Sequence, residues 1–137
     1  MFLVYLCDRK LKLLVMERLT EKELELMKLF WASGDAFVRE LVDRYPSPKP
    51  HFNTVSTYVR LLEKKGLVKH EELGNSFRYS PAVSAEEYSI ALVKEIAEKF
   101  YGNSMKDLIV SLLGNVELSE DDMWDLMTEM RRSRKRE

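Results

Sequence analysis

Apolar residues recur with a helical period in three successive stretches, give way to short alternating runs, and then return to a helical period for the rest of the chain. In the first stretch Leu24, Met27, Phe30 and Trp31 form one face behind Thr20 and Glu23, whose spacing predicts a capping box. Ser33-Gly34-Asp35 ends it, with Asp35 placed to cap a second helix carrying Val38, Leu41, Val42 and Tyr45. Prolines at 46, 48 and 50 forbid continuation. The third stretch, HFNTVSTYVRLLEKKG, puts Val55, Tyr58, Val59 and Leu62 on one stripe and closes at Lys65-Gly66. Trp31, at helical spacing with Met27 and Leu24, reads as core.

The pattern then shortens to LVKHEEL and FRYS around Gly74-Asn75-Ser76, which predicts a β-hairpin. Two strands of this size are unstable alone, so Leu67, Val68, Phe77 and Tyr79 are expected to pack on the three helices, with Arg78 pointing away. His70 reads as a surface strand residue. Three helices and a hairpin, in that order, describe a winged helix-turn-helix.

The face of the third helix opposite its apolar stripe carries short hydrogen-bonding side chains first and basic ones later. Asn53, Thr54 and Thr57 are expected to approach base edges, while Arg60, Lys64 and Lys65, with Arg78 on the wing, are expected to meet phosphates. Ser56 and His51 belong to the same face but could equally cap or solvate the helix start. The plain alternative is an amphipathic helix with a solvated polar side.

From Ser84 the chain reads as three more helices. Ser84 and Glu87 repeat the capping-box spacing, and Tyr88, Leu92, Ile96 and Phe100 recur at steps of four. MKDLIVSLLG after Ser104 is apolar almost all round. Ser119 opens a last helix with Met123, Leu126, Met127 and Met130 on one face. Helices of this kind need cover. The expected cover is the same segment of a second chain, through Leu92, Ile96, Phe100, Leu108, Ile109, Leu112, Leu113, Met123, Leu126, Met127 and Met130. A pliable Met-rich binding surface is the other reading of the last helix.

Composition narrows the functional classes. The net charge of −1 over 137 residues announces no nucleic-acid partner by itself, but its distribution is uneven. Residues 17 to 84 hold 11 basic against 10 acidic side chains, residues 85 to 130 hold 3 against 11, and residues 131 to 137 hold 5 against 1. Acidic residues opening the last helix and basic ones closing it suit the helix dipole, which is the reading taken for Asp121, Asp122 and Asp125. One cysteine, Cys7, excludes an internal disulfide, and His51 and His70 form no ligand spacing, so neither metal nor cofactor is expected. No nucleophile triad, phosphate-binding glycine loop or paired carboxylate set suggests an enzyme. Residues 1 to 16 have their apolar run before their positive charges, the reverse of a secretory signal, and are expected to be a disordered or loosely packed extension. The expected organisation is therefore an extension to residue 16, a winged-helix domain from 17 to 84 and a helical dimerisation domain with a basic tail from 85 to 137, mainly α with one small hairpin.

With that order in view, residues 17 to 137 resemble the penicillinase-repressor (BlaI/MecI type) family of bacterial transcriptional regulators. The resemblance is carried by LTEKELELMKLFW, NTVSTYVRLLEKKGLV, GNSFRYSP, AEEY and FYGNSMKDLIVSLLGNVELS. It implies a cytoplasmic homodimeric repressor acting on a double-stranded DNA operator, in relatives of genes for β-lactam resistance or copper efflux. The chain departs from the family at two places. His51-Phe52-Asn53-Thr54 stands where the family often has Ser-Pro-Lys-Thr, and the C-terminus lacks the cysteine motif of the copper-responsive branch. The resemblance also implies induction by a membrane sensor metalloprotease that cuts an Asn-Phe bond in the short apolar helix. The matching bond here is Ser111-Leu112. Two other functions fit the pattern less well: a winged-helix protein-interaction module, and a winged-helix regulator that senses a small molecule.

Overall fold

The computed structural model describes residues 18 to 135, so the expected N-terminal extension and Cys7 lie outside the described residues. Six helices and one antiparallel hairpin follow in order: α1 (Glu21–Ser33), α2 (Val38–Arg44), α3 (Phe52–Lys64), β1 (Val68–Leu73), β2 (Ser76–Pro81), α4 (Ala85–Phe100), α5 (Met105–Gly114) and α6 (Glu120–Lys135). The chain divides into two compact units, the first ending at Glu95 and the second starting at Ile96. No helix among the described residues is long and apolar enough to cross a membrane.

The first unit is a winged helix. Its core joins Leu26, Met27 and Phe30 of α1, Leu41 of α2, Val55, Val59 and Leu62 of α3, and Leu67, Val68 and Tyr79 at the base of the hairpin. Ala36 pairs with Tyr79 through reciprocal backbone hydrogen bonds of 2.9 and 2.8 Å, so the α1–α2 turn adds a one-residue strand to the wing. Trp31 sits at the edge of this core, its Nε1–H donating to the Val83 carbonyl at 2.9 Å, with Tyr88 beside it. That contact ties the start of α4 to α1.

Three local expectations are corrected. Leu26 rather than Leu24 fills the core from α1, because the buried face is Glu23, Leu26, Met27 and Phe30. Only half of the first capping box forms: Thr20 Oγ1 accepts from the Glu23 N–H at 3.2 Å, but the Glu23 carboxylate turns inward to Lys65. Asp35 does not cap α2. The N-cap is Phe37, whose N–H donates to Glu40 Oε1 at 3.2 Å, since Ala36 is taken up by the bridge to Tyr79 and the helix starts only after it.

The hairpin pairs Leu73 with Ser76 and leaves Gly74-Asn75 as a two-residue loop, with Gly74 at φ 63° as such loops require. Phe77 does not pack on the helices as expected. The hairpin projects past the helical core, so its base is buried and its tip is not; Phe77 lies over His70 instead, ring centroids 4.5 Å apart.

In the second unit Ser104 caps α5 through its hydroxyl, which accepts from the Asp107 N–H, and Ser119 caps α6 in the same way through Asp122. Ala97 and Leu108 are buried there. Tyr101, Met105 and Leu118 are half-buried, and most of the remaining apolar surface is open.

Candidate nucleic-acid interface

The candidate interface is the exposed side of α3 with the wing. Burying Val55, Val59 and Leu62 fixes the rotation of α3, and the period of 3.6 then turns Asn53, Thr54, Thr57, Arg60 and Lys64 outward. All five are exposed, as is Arg78 on β2, while Ser56 is half-buried.

His51 holds the N-cap, its Nδ1 accepting the Asn53 N–H at 3.1 Å. An imidazole that accepts at Nδ1 carries its proton at Nε2, so the outer nitrogen is left as a donor. Thr57 donates its hydroxyl to the Asn53 carbonyl at 2.9 Å. Its one proton is thereby used, and what it offers outward is a γ-methyl and hydroxyl lone pairs. Those groups suit a thymine methyl or a base amino group. The Asn53 side chain makes no hydrogen bond among the described residues, nor do the side chains of Arg60, Lys64 and Arg78.

Lys65 is placed differently. Its ammonium sits 2.7 and 3.0 Å from the two oxygens of Glu23, a carboxylate that is almost wholly buried. The charge at this position is spent inside the unit, joining the C-terminal end of α3 to α1.

The wing is joined to α3 by a contact that periodicity does not reveal. His70 Nδ1 on β1 meets Glu63 Oε2 on α3, and the His70 ring stacks on Phe77 and lies 5.8 Å from Tyr79. Burial pushes the Tyr79 phenol above its usual pKa of 10, with Glu63 adding to the shift and Arg60 opposing it. The phenol therefore remains a neutral donor in the ordinary pH range. Among the described residues no three His, Cys, Asp or Glu side chains gather as a metal site.

The family model for the penicillinase repressor matches residues 19 to 132. The chain belongs to the penicillinase repressor family. A penicillinase repressor of Staphylococcus aureus is 25% identical over 105 residues, covering 76% of this chain and 83% of that protein. An uncharacterized 16.5 kDa protein of Latilactobacillus sakei is 28% identical over 110 residues, 79% of this chain and 75% of its own length. The crystal structure of an organohalide-sensing transcriptional regulator, bound to 2,4-dichlorophenol, aligns with a TM-score of 0.47 and 17% identity over 96% of this chain and 70% of that one. Penicillinase repressors are transcriptional regulators and not enzymes, and the match spans both compact units.

The residues expected to pair two copies fall into two groups. Ile96, Phe100, Ile109, Leu112, Leu113, Met123, Leu126, Met127 and Met130 are exposed, Phe100 at 76% and Leu112 at 55%. Leu108 is covered within its own chain, contrary to expectation, because it occupies the buried side of α5; Leu92 packs against the core of the first unit. Ser111 and Leu112 lie inside α5, where Tyr101 donates to the Ser111 hydroxyl at 3.2 Å and the Asn115 amide donates to the Ser111 carbonyl at 2.7 Å.

Proposed function

We propose that this chain is a cytoplasmic, homodimeric repressor that binds a double-stranded DNA operator. The observation that carries the reading is the outward face of α3, polar at its N-terminal half and basic beyond, with Arg78 exposed on the wing of the same compact unit. A protein-binding surface would carry more apolar side chains at those positions. In this reading Asn53, Thr54 and Thr57 meet base edges, with Ser56 and His51 at the margin, and Arg60, Lys64 and Arg78 meet phosphates. Lys65 serves mainly to hold α3 on α1, because its charge is already paired with Glu23. The exposed apolar residues of the second unit supply the dimer contact, which lets two recognition helices engage two half-sites.

The test begins by selecting a preferred sequence from a random duplex pool with the full-length chain. Replacing Thr57 by Ala should then cost about 1–3 kcal/mol and relax preference at one position. Replacing Lys64 by Ala should weaken binding to all sequences and lower the salt slope by about one unit. No enrichment from the pool, or a Lys64→Ala variant with altered preference and unchanged salt slope, would reject the assignment.

A further inference from the structure

A cleft of about 550 Å³ opens between the start of α2, the outward face of α3 and the tip of the wing. Phe52 and Phe77 stand on its walls, 47% and 43% exposed, and neither belongs to the hydrophobic core. The core is complete without them, and although Phe77 lies against His70, both rings keep a large exposed face whose hydration is unfavourable. Arg39 and Arg60 also line the cleft, and neither guanidinium makes a hydrogen bond or ion pair among the described residues. The one carboxylate on the rim, Glu40, accepts a hydrogen bond from the Phe37 N–H. Two arginines against one carboxylate leave the rim net positive.

The geometry points to a binding site for a planar aromatic carboxylate, with the ring against Phe52 and Phe77 and the carboxylate on Arg39 and Arg60. The volume lies within the usual range of small-molecule sites, roughly 300–1,000 Å³, and admits a two-ring ligand. A guanidinium grips a carboxylate through two parallel hydrogen bonds and also stacks on an aromatic face, so both halves of such a molecule are matched. A neutral aromatic would leave the arginines unused, and an inorganic anion would leave the phenylalanines exposed. Arg60 and Ser56 line the cleft and also belong to the face assigned to DNA, so an occupied cleft excludes the operator; this consequence rests on the DNA-binding reading above.

The test titrates full-length protein with naphthalene-1-carboxylate by calorimetry, without DNA. Saturable binding is expected, weakened about tenfold or more in Arg39→Ala and in Phe77→Ala, for loss of a charge-assisted pair and of a stacking wall. If Phe77→Ala does not fold, Phe77→Leu keeps the apolar bulk and removes the ring. No saturable binding, or binding unchanged by both substitutions, overturns the site. Equal affinity for 1-naphthalenemethanol overturns the role of the arginines, and displacement by equimolar inorganic phosphate overturns the aromatic class. A second arm adds the ligand to the protein–operator complex, where release is expected. Retention of DNA with the ligand bound would overturn the exclusion alone, and a chain that binds no DNA would leave the calorimetric result standing.

Discussion

Tyr45 shows how one buried group ties stability to pH. Burial, then Glu25 and the Tyr58 phenol, push its pKa up from 10 to about 12. Between those values the unfolded chain has released a proton that the folded one keeps. Folded stability is therefore intact below about pH 10 and falls as pH rises toward about 12. Tyr45→Phe should flatten this alkaline decline in denaturation midpoints measured from pH 9 to pH 11, though Tyr79, shifted in the same direction, should preserve part of it. The Glu23–Lys65 pair makes a second residue-scale case. Removing the carboxylate strands an ammonium that is only 23% exposed, so Glu23→Ala should cost about 2 kcal/mol in urea unfolding. An unfolding midpoint equal to the parent's would mean that Lys65 simply swings into water.

At the scale of elements, α5 governs how the chain would meet a sensor protease. The family resemblance points to Ser111-Leu112, where relatives present Asn-Phe. Leu for an aromatic in an apolar pocket changes discrimination by only about 1–3 kcal/mol, whereas Ser for Asn can leave a polar pocket group unpaired. The local structure adds a barrier. Both residues are helical, and Tyr101 and Asn115 hold Ser111 from two sides, so the segment must open before a protease can extend it. The expected outcome is poor cleavage by a sensor protease tuned to Asn-Phe, read as intact mass after incubation. Efficient scission between Ser111 and Leu112 would show that the helix opens readily and the substitutions are tolerated.

At the scale of the whole molecule, α6 carries no buried residue and exposes Met123, Trp124, Leu126, Met127 and Met130 together. An apolar face of that extent is not a stable surface for a lone chain. Light scattering should report a dimer at micromolar concentration. Replacing both Leu126 and Met127 by Glu should shift it to monomer and weaken operator binding steeply, since the second half-site then gains nothing from the first. A parent chain that is monomeric would remove the proposed interface and leave the winged helix intact.

Local sequence determined most of the elements. Period, capping hydroxyls and turn glycines act within four or five residues, so α3, a hairpin turn at Gly74, the Ser84, Ser104 and Ser119 helix starts and the polar face of α3 were all readable before any fold was known, although Ser76, read as part of the turn, begins β2. Five motifs in order also sufficed for the family. Tertiary structure decided what depends on distant partners. Whether Leu24 or Leu26 enters the core turns on where α3 and the wing lie, since either satisfies a helical period. Glu23 leaves its capping role for Lys65, 42 residues away, because a buried carboxylate needs a cation more than a helix start needs a second cap. Asp35 loses the α2 cap because its neighbour Ala36 bridges to Tyr79, and His70 finds Glu63 only once the wing folds back on α3. Phe52 and Arg60 on α3, Phe77 on the wing and Arg39 on α2 come from three elements, and local sequence marked only Arg60 as a binding residue; their meeting at one cleft is a property of those elements packed together, which no period in the sequence encodes.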